Sequence, residues 1–245
     1  DARPATASAG CNKPHAPGWR CHHVSVQGAD RYFCVSIPTD YNPAIPRRIL
    51  FDLHDCGATI SESTAPANVA LQELNNRGRF LLAFPQSAEV CWAGAASKDS
   101  GLLTQARAVI EDNYCVDTTQ TFAEGLGAGG YMASATACSN EAGIRAVASA
   151  GGALACSHPL PQWAFWGTQD SSYAANGPRM RDAQLNASGC AMTTHDVPGA
   201  SPPCVEYNGC SQRLVWCSNA EGHRWPTTPW MMGGTLDFFE SYFGR

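Results

Sequence analysis

The stretch from Thr121 to Tyr131 limits the fold of this chain more than any other part of its sequence. Strand-type residues at 121–124 run directly into a turn with glycine at positions 125, 127, 129 and 130. Small residues of helical type then continue to Cys138. Glycines allow a strand and the helix that follows it to approach closely. The segment therefore predicts an α/β fold with this turn between a central strand and a helix.

The other apolar segments alternate between strand and helix patterns in the same way. Strand patterns lie at Ile49–His54, Phe80–Pro85, Arg145–Ala150 and Gln162–Gly167, with edge strands at Val24–Val26 and Tyr32–Ile37, and helical spacing lies at Pro66–Asn76, at Gly101–Asn113 and across Leu236, Phe239 and Phe243. This alternation indicates a mainly parallel sheet covered by helices on both faces. No linker or repeat interrupts the series, so we expect one domain over residues 1–245, with 1–30 as a disulfide-tethered N-terminal segment.

Twelve cysteines in 245 residues are too many for a typical cytosolic enzyme. Their irregular spacing lacks paired C-x2-C knuckles, so disulfides are favoured over zinc. The sequon at Asn186 agrees with the secreted location that disulfides imply. The chain has no signal peptide at Asp1, which removal of a leader would explain. We expect no cofactor and no metal.

Charge and hydropathy exclude two classes of partner. The formal net charge is -5, and the only lysines are Lys13 and Lys98. Without a basic patch, a nucleic-acid partner is not expected. No apolar run approaches the length that spans a membrane, so a membrane partner is not expected either.

The glycine-rich turn has more than one interpretation. Gly125 and Gly129 match the outer glycines of the nucleophile elbow G-x-S-x-G, but Gly127 stands where serine belongs. Gly125, Gly127 and Gly130 also match the dinucleotide fingerprint G-x-G-x-x-G. That motif would follow the first strand and need an acidic residue about 20 positions later, and neither condition holds. A glycine-rich turn that binds nothing is the third possibility.

Two later residues favour the elbow. Asp170 ends a strand pattern, which is the usual place of a triad acid, and His223 lies in a loop shortly before the last helix. Each alone is more often a turn or surface residue. The chain order of nucleophile, acid and base is the order of α/β-hydrolases.

These residues resemble the fungal-type feruloyl esterases and the related acetylxylan esterases and polyhydroxybutyrate depolymerases of the carbohydrate esterase family 1 type. The matching segments, which together span about residues 30–243, are Phe51–Gly57, Cys91–Trp92, Tyr114–Asp117, Gly125–Gly130, Gly167–Asp170, Cys190 with Tyr207–Cys210, and Gly222–Pro226. The resemblance implies an α/β-hydrolase fold and hydrolysis of ferulate or acetate esters on plant cell-wall polysaccharide or oligosaccharide. It also supports pairing of Cys190 with Cys210 and of Cys56 with Cys91.

The resemblance assigns a role to each site residue. His223 would be the general base and Asp170 its orienting acid. The Ala128 amide, with one from the Asp55–Cys56 turn, would form the oxyanion hole. Two residues depart from the family pattern, because Gly127 has no nucleophile and Asp55 replaces the usual glycine with a carboxylate.

Other residues are less favoured candidates for the nucleophile or for a metal ligand. Ser149 lies in a partial look-alike of the elbow, Cys56 and Cys156 would need to be free thiols, and metal binding by His54, Asp55 and His223 would lack the usual helical spacing. Trp225 and Trp230 are candidates for a substrate platform, although tryptophans at such positions are as often in the core.

Three functions remain open on the sequence. The first is an esterase inactivated by the loss of serine at position 127. The second is a native pseudoenzyme that binds a glycan or an aromatic acyl group without turnover. The third, a secreted protein-interaction module, has no positive support in the sequence.

Overall fold

A computed structural model describes residues 4–60, 80–92, 98–171, 173–197, 204–224 and 229–243. Ten strands form one sheet: β1 Gly18–Val26, β2 Ala29–Ile37, β3 Arg47–Leu53, β4 Phe80–Pro85, β5 Val116–Leu126, β6 Ile144–Ala150, β7 Gln162–Gly167, β8 Thr194–Asp196, β9 Cys204–Tyr207 and β10 Leu214–Asn219. The helices in the described part of the chain are α1 Leu102–Asn113, α2 Ala128–Cys138, α3 Tyr173–Ala187 and α4 Pro229–Glu240.

The strand order is β1-β2-β4-β3-β5-β6-β7-β10-β9-β8. The six central strands run parallel, and antiparallel strands close both edges. This mainly parallel sheet confirms the predicted α/β-hydrolase fold class. The strands that form its centre, such as Phe80–Pro85 and Gln162–Gly167, are buried along their whole length because both faces are covered.

Described helices pack on both faces of the sheet. On one face α1 and α2 pack on alternate residues of the central strands, and α1 buries Leu103, Ala106 and Ile110 there. The other face packs against α4, where Phe238 and Phe239 meet Phe122 and Trp163. The structure therefore confirms the layered arrangement that the alternating pattern predicts.

Most predicted elements are present with small shifts in their bounds. The strand predicted at 121–124 extends over the whole of β5, and Phe243 lies in the turn after α4. Helix α3 and strands β8, β9 and β10 are not predicted from the sequence. Helix α3 contains Pro178, which normally argues against a helix interior, and has little apolar periodicity. The predicted helix at 66–76 lies outside the described residues.

Six disulfides pair all twelve cysteines. The predicted Cys56–Cys91 and Cys190–Cys210 bonds are both present, together with Cys11–Cys115, Cys21–Cys34, Cys138–Cys156 and Cys204–Cys217. Two of these bonds hold the N-terminal segment, one to the residue before β5 and one across the β1–β2 hairpin. Among the described helices, none combines the length and hydropathy needed to cross a membrane.

The parallel strands bring the predicted site residues to one edge of the sheet. Their carboxyl ends lie on the same side, so the loops that follow them meet. Asp55 follows β3, Gly127 follows β5, Asp170 follows β7 and His223 follows β10. The fold thus gathers residues that are up to 168 positions apart in the chain.

Candidate active site

Gly127 forms the turn between β5 and α2. Its backbone has φ 54° and ψ −117°, a conformation that residues with a Cβ rarely adopt. Its N–H donates to the Ala150 carbonyl at 2.8 Å, and its own carbonyl accepts the Tyr131 N–H at 3.0 Å. The turn is therefore sharp and held from both sides, as a nucleophile elbow would be.

The outer glycines of the motif permit close packing. A Cβ on Gly125 would stand 2.6 Å from the Gly130 nitrogen, and a Cβ on Gly129 would stand 2.6 Å from the His54 carbonyl oxygen. Both distances are shorter than carbon contacts allow, so neither position tolerates a larger residue. This explains the spacing of the motif by packing against β3 and α2.

His223 and Asp170 form a hydrogen-bonded pair beside this turn. The His223 Nδ1 lies 2.6 Å from Asp170 Oδ2. Asp170 is buried, with 2% of its side chain exposed, whereas the His223 side chain is 39% exposed. A buried carboxylate on Nδ1 orients the ring and leaves Nε2 facing the turn.

Asp55 places its carboxylate between the histidine and the helix. Its Oδ2 lies 2.9 Å from His223 Nε2, and its Oδ1 accepts the Ala128 N–H at 2.9 Å. A Cβ on Gly127 would stand 2.5 Å from Asp55 Cγ and 2.7 Å from His223 Nε2, and closer still to Asp55 Oδ1. The carboxylate thus fills the space that a side chain at position 127 would need, and it takes the first amide of the helix.

The two carboxylates change the titration of His223. Partial burial of the ring lowers its pKa, but hydrogen bonds to Asp170 and Asp55 outweigh this effect and raise the pKa above the usual 6.5. A protonated ring donates to both carboxylates at once. Both carboxylates therefore favour the protonated form of the His223 ring.

His54 holds the backbone of Asp55 in place. Its Nδ1 lies 2.7 Å from the Asp55 carbonyl oxygen, and its Nε2 accepts the Ser87 N–H at 3.2 Å. The indole N–H of Trp92 donates to the His54 carbonyl at 2.8 Å, and Cys56 is tied to Cys91. Both ring nitrogens of His54 are thus engaged by protein atoms, so His54 serves as a support for the loop.

The other residues that the sequence offers as nucleophile, platform or metal ligand do not join this cluster in the described part of the chain. Cys56 and Cys156 are disulfide-bonded and carry no thiol, and Ser149 is fully buried in β6, where its Cβ lies near Gly130 of α2. Trp225 and the side chain of Trp230 lie outside what the structure describes. Within the described ranges, no group of three or more histidine, cysteine or acidic side chains could hold a metal ion.

Several known proteins with similar sequences are named feruloyl esterases or probable feruloyl esterases. The chain is 27% identical over 240 residues to feruloyl esterase D of Neurospora crassa, covering 89% of this chain and 83% of that protein. It is 25% identical over 228 residues to a probable feruloyl esterase C of Aspergillus oryzae, covering 88% and 83%. No protein-family model matches the chain.

Solved structures agree in fold. A ferulic acid esterase superposes with a TM-score of 0.62 at 14% identity, covering 92% of this chain and 96% of that one. An acetyl xylan esterase from Aspergillus awamori gives 0.68 at 13% identity, covering 90% and 99%. The chain is a feruloyl-esterase-like α/β-hydrolase.

This feruloyl-esterase-like protein also has a cavity of about 500 Å³ next to the cluster. The loop that follows β6, residues 151–155, forms one wall, and one face of α3 forms another. Gly151 links the cavity to the site, since a Cβ there would stand 2.8 Å from His223 Cε1 and 3.0 Å from Asp170 Oδ2. The cavity is not predicted from the sequence because α3, which forms one of its walls, is not predicted.

Asp52 and Glu124 form a second acidic pair in the esterase-like scaffold. They are direct neighbours on β3 and β5, and both are buried. Burial raises the pKa of Asp52 to about 7. Burial, reinforced by the charge of Asp52, raises the pKa of Glu124 well above its usual value. The pair therefore keeps a proton to higher pH than two exposed carboxylates would.

Proposed function

We propose that this chain is a secreted feruloyl-esterase-like protein that binds feruloylated or acetylated plant cell-wall polysaccharide, or oligosaccharides derived from it, without hydrolysing the ester. One observation carries the proposal: the Asp55 carboxylate lies in the nucleophile's space, bonded to His223 and to the Ala128 N–H.

The chemistry of acyl transfer explains why this arrangement opposes turnover. The usual route begins with a side-chain oxygen that attacks the ester carbon, and Gly127 offers none. The developing oxyanion then needs a free N–H, but the Ala128 amide donates to Asp55. A negative charge already at that point raises the energy of a second one.

Asp55 does not replace the serine as nucleophile in this proposal. Both of its oxygens are engaged, one by the helix amide and one by His223. A carboxylate with both oxygens held in hydrogen bonds is a weak nucleophile, and its attack on an ester would form a reactive anhydride. His223 and Asp170 therefore act as binding partners of Asp55 rather than as base and acid.

The fit of Asp55 to Gly127 favours a native pseudoenzyme over an inactivated esterase. A single replacement of serine by glycine would leave an open space with the family's usual glycine at position 55. Here the carboxylate and the missing side chain are complementary, which points to a site remodelled at two positions.

The proposed ligand and the proposed secretion are supported by different observations. The similar proteins are named feruloyl esterase D and probable feruloyl esterase C, and these names support a feruloyl ester as the ligand. Six disulfides are typical of proteins that fold in an oxidising compartment, which supports secretion.

Binding and ester release can be measured together on feruloylated arabinoxylan. We expect the unmodified chain to be depleted from solution by the polymer, with ferulate release at the level of a protein-free blank by liquid chromatography. His223→Ala should leave the release at that same level. Release by the unmodified chain that His223→Ala abolishes would show an intact catalytic route and contradict the proposal.

A further inference from the structure

We infer that the cavity between the β6 loop and α3 binds an aryl carboxylate, with its carboxylate on Arg179 and its ring toward Gly151. This inference rests on the proposed function only in that it concerns a ligand bound without turnover. It concerns the free acid, whereas acyl transfer would require the ester.

The spacing on α3 directs one face of the helix at the cavity. Asn176, Arg179, Met180 and Ala183 all line it, and these positions are three, four and seven residues apart. Arg179 is the single charged residue among the described lining residues. The cavity therefore presents one positive charge at the helix wall.

Arg179 has no ion-pair or hydrogen-bond partner in the described part of the chain. The neighbouring Arg181 differs, because it pairs with Asp182 at 2.7 Å and lies over the Trp216 ring at 5.4 Å. A guanidinium without a partner matches a carboxylate with two parallel hydrogen bonds. An anionic ligand would complete what the protein leaves open.

The rest of the lining favours a flat apolar body over a sugar ring. Leu154, Trp166 and Met180 supply large apolar surfaces, and alanines at 153, 155 and 183 leave room between them. Tyr131 also lines the cavity, is 40% exposed and can contact a ring. A volume of about 500 Å³ lies within the usual range of small-molecule sites.

Electrostatics decides which end of the ligand lies where. The end of the cavity next to Gly151 adjoins Asp170 and the Asp55–His223 pair, where carboxylates are already present. A ligand carboxylate would be repelled there and attracted at Arg179. The expected orientation is the reverse of the one that acyl transfer needs, in which the carboxyl carbon faces Gly127.

Equilibrium binding of ferulate and of methyl ferulate to the unmodified chain tests the inference. The acid and its neutral ester share the ring and differ in charge. We expect calorimetry to give saturable binding of ferulate, with methyl ferulate at least about tenfold weaker, because a hydrogen-bonded ion pair is lost. Arg179→Gln should weaken ferulate by about tenfold or more and bring the two ligands to similar affinity.

Two further variants separate the cavity from the rest of the surface. Arg181→Gln, on the same helix, should leave ferulate affinity unchanged, since Arg181 does not line the cavity. Ala183→Trp, at an exposed helix position, should fill the cavity and abolish binding while the thermal midpoint stays the same.

Several results would overturn the inference. These are the absence of saturable ferulate binding, equal affinities for acid and ester, an effect of Arg179→Gln no larger than that of Arg181→Gln, or tighter Arg179-dependent binding of glucuronate than of ferulate. The assay reads binding by the unmodified chain and the proposed function is tested by ester release, so each can fail without the other.

Discussion

Replacing Gly127 with alanine tests the packing of Asp55 against the turn through stability alone. The new Cβ would stand 2.5 Å from Asp55 Cγ and 2.7 Å from His223 Nε2, so the carboxylate must leave its place. The backbone at φ 54° and ψ −117° is also unfavourable for alanine. Two separate costs are therefore expected from one methyl group.

The structure sets the size of each cost. A non-glycine residue in such a sparsely populated backbone region costs about 1–3 kcal/mol. Displacing Asp55 forfeits hydrogen bonds to Ala128 and His223, worth about 2 kcal/mol together after allowance for solvent exposure. Gly127→Ala should thus lower the free energy of unfolding by about 3–5 kcal/mol.

A double-mutant cycle separates these costs. In an Asp55→Gly background there is no carboxylate to displace, and the partly exposed His223 ring, no longer held at Nε2, can shift away from the new Cβ. Gly127→Ala should then cost mainly the backbone part, about 1–3 kcal/mol. Urea unfolding of the four proteins at one pH should give a coupling energy of about 2 kcal/mol. A Gly127→Ala cost that is the same in both backgrounds would refute the reasoning, because Asp55 would then not occupy the space.

Three other predictions follow from charges and cross-links. Asp55→Asn should lower the pKa of His223 in an NMR titration of the ring, because one of its two carboxylate partners is lost. The stabilisation that the cluster gives the folded state is fully present below pH 6.5 and declines as pH rises through the raised pKa of His223. An unchanged His223 titration would contradict the contact. Asp52 keeps its proton in the folded state up to about pH 7, so the free energy of unfolding should fall as pH rises between about 4 and 7. Asp52→Asn should remove much of that fall and stabilise the protein at pH 8 by about 1–3 kcal/mol. A flat profile for the unmodified chain would argue against the buried pair. Replacing Cys11 and Cys115 by serine opens a loop of sequence separation 104 and should cost about 3–5 kcal/mol in urea unfolding, more than the same change at the Cys21–Cys34 bond with separation 13; the reverse ranking would count against chain entropy as the cause.

The sequence was sufficient for the fold where local patterns and parallel topology agree. Buried strands such as Phe80–Pro85 are uniformly apolar, and glycines at 125 and 129 mark a turn whose packing only the smallest residue allows. The disulfide pairs Cys56–Cys91 and Cys190–Cys210 were predicted with help from family resemblance rather than from spacing.

Tertiary contacts account for what the sequence could not predict. The presence of a carboxylate at position 55 was evident, but its direction depends on His54, Ser87 and Trp92, which hold the loop from elsewhere in the chain. Pro178 argues against a helix, so α3 is not predicted from the sequence, and neither is the cavity that Arg179 lines. Such contacts join residues far apart in sequence and leave no local periodicity to read.

The most direct test of the central claim compares methyl ferulate hydrolysis by Gly127→Ser with hydrolysis by the Asp55→Gly/Gly127→Ser double variant. If Asp55 fills the nucleophile's space, serine alone should stay near the background rate. The double variant should be at least about a hundredfold faster and should lose that rate on His223→Ala, as a restored triad would. A single Gly127→Ser variant as active as the double variant would contradict the claim that Asp55 blocks the site.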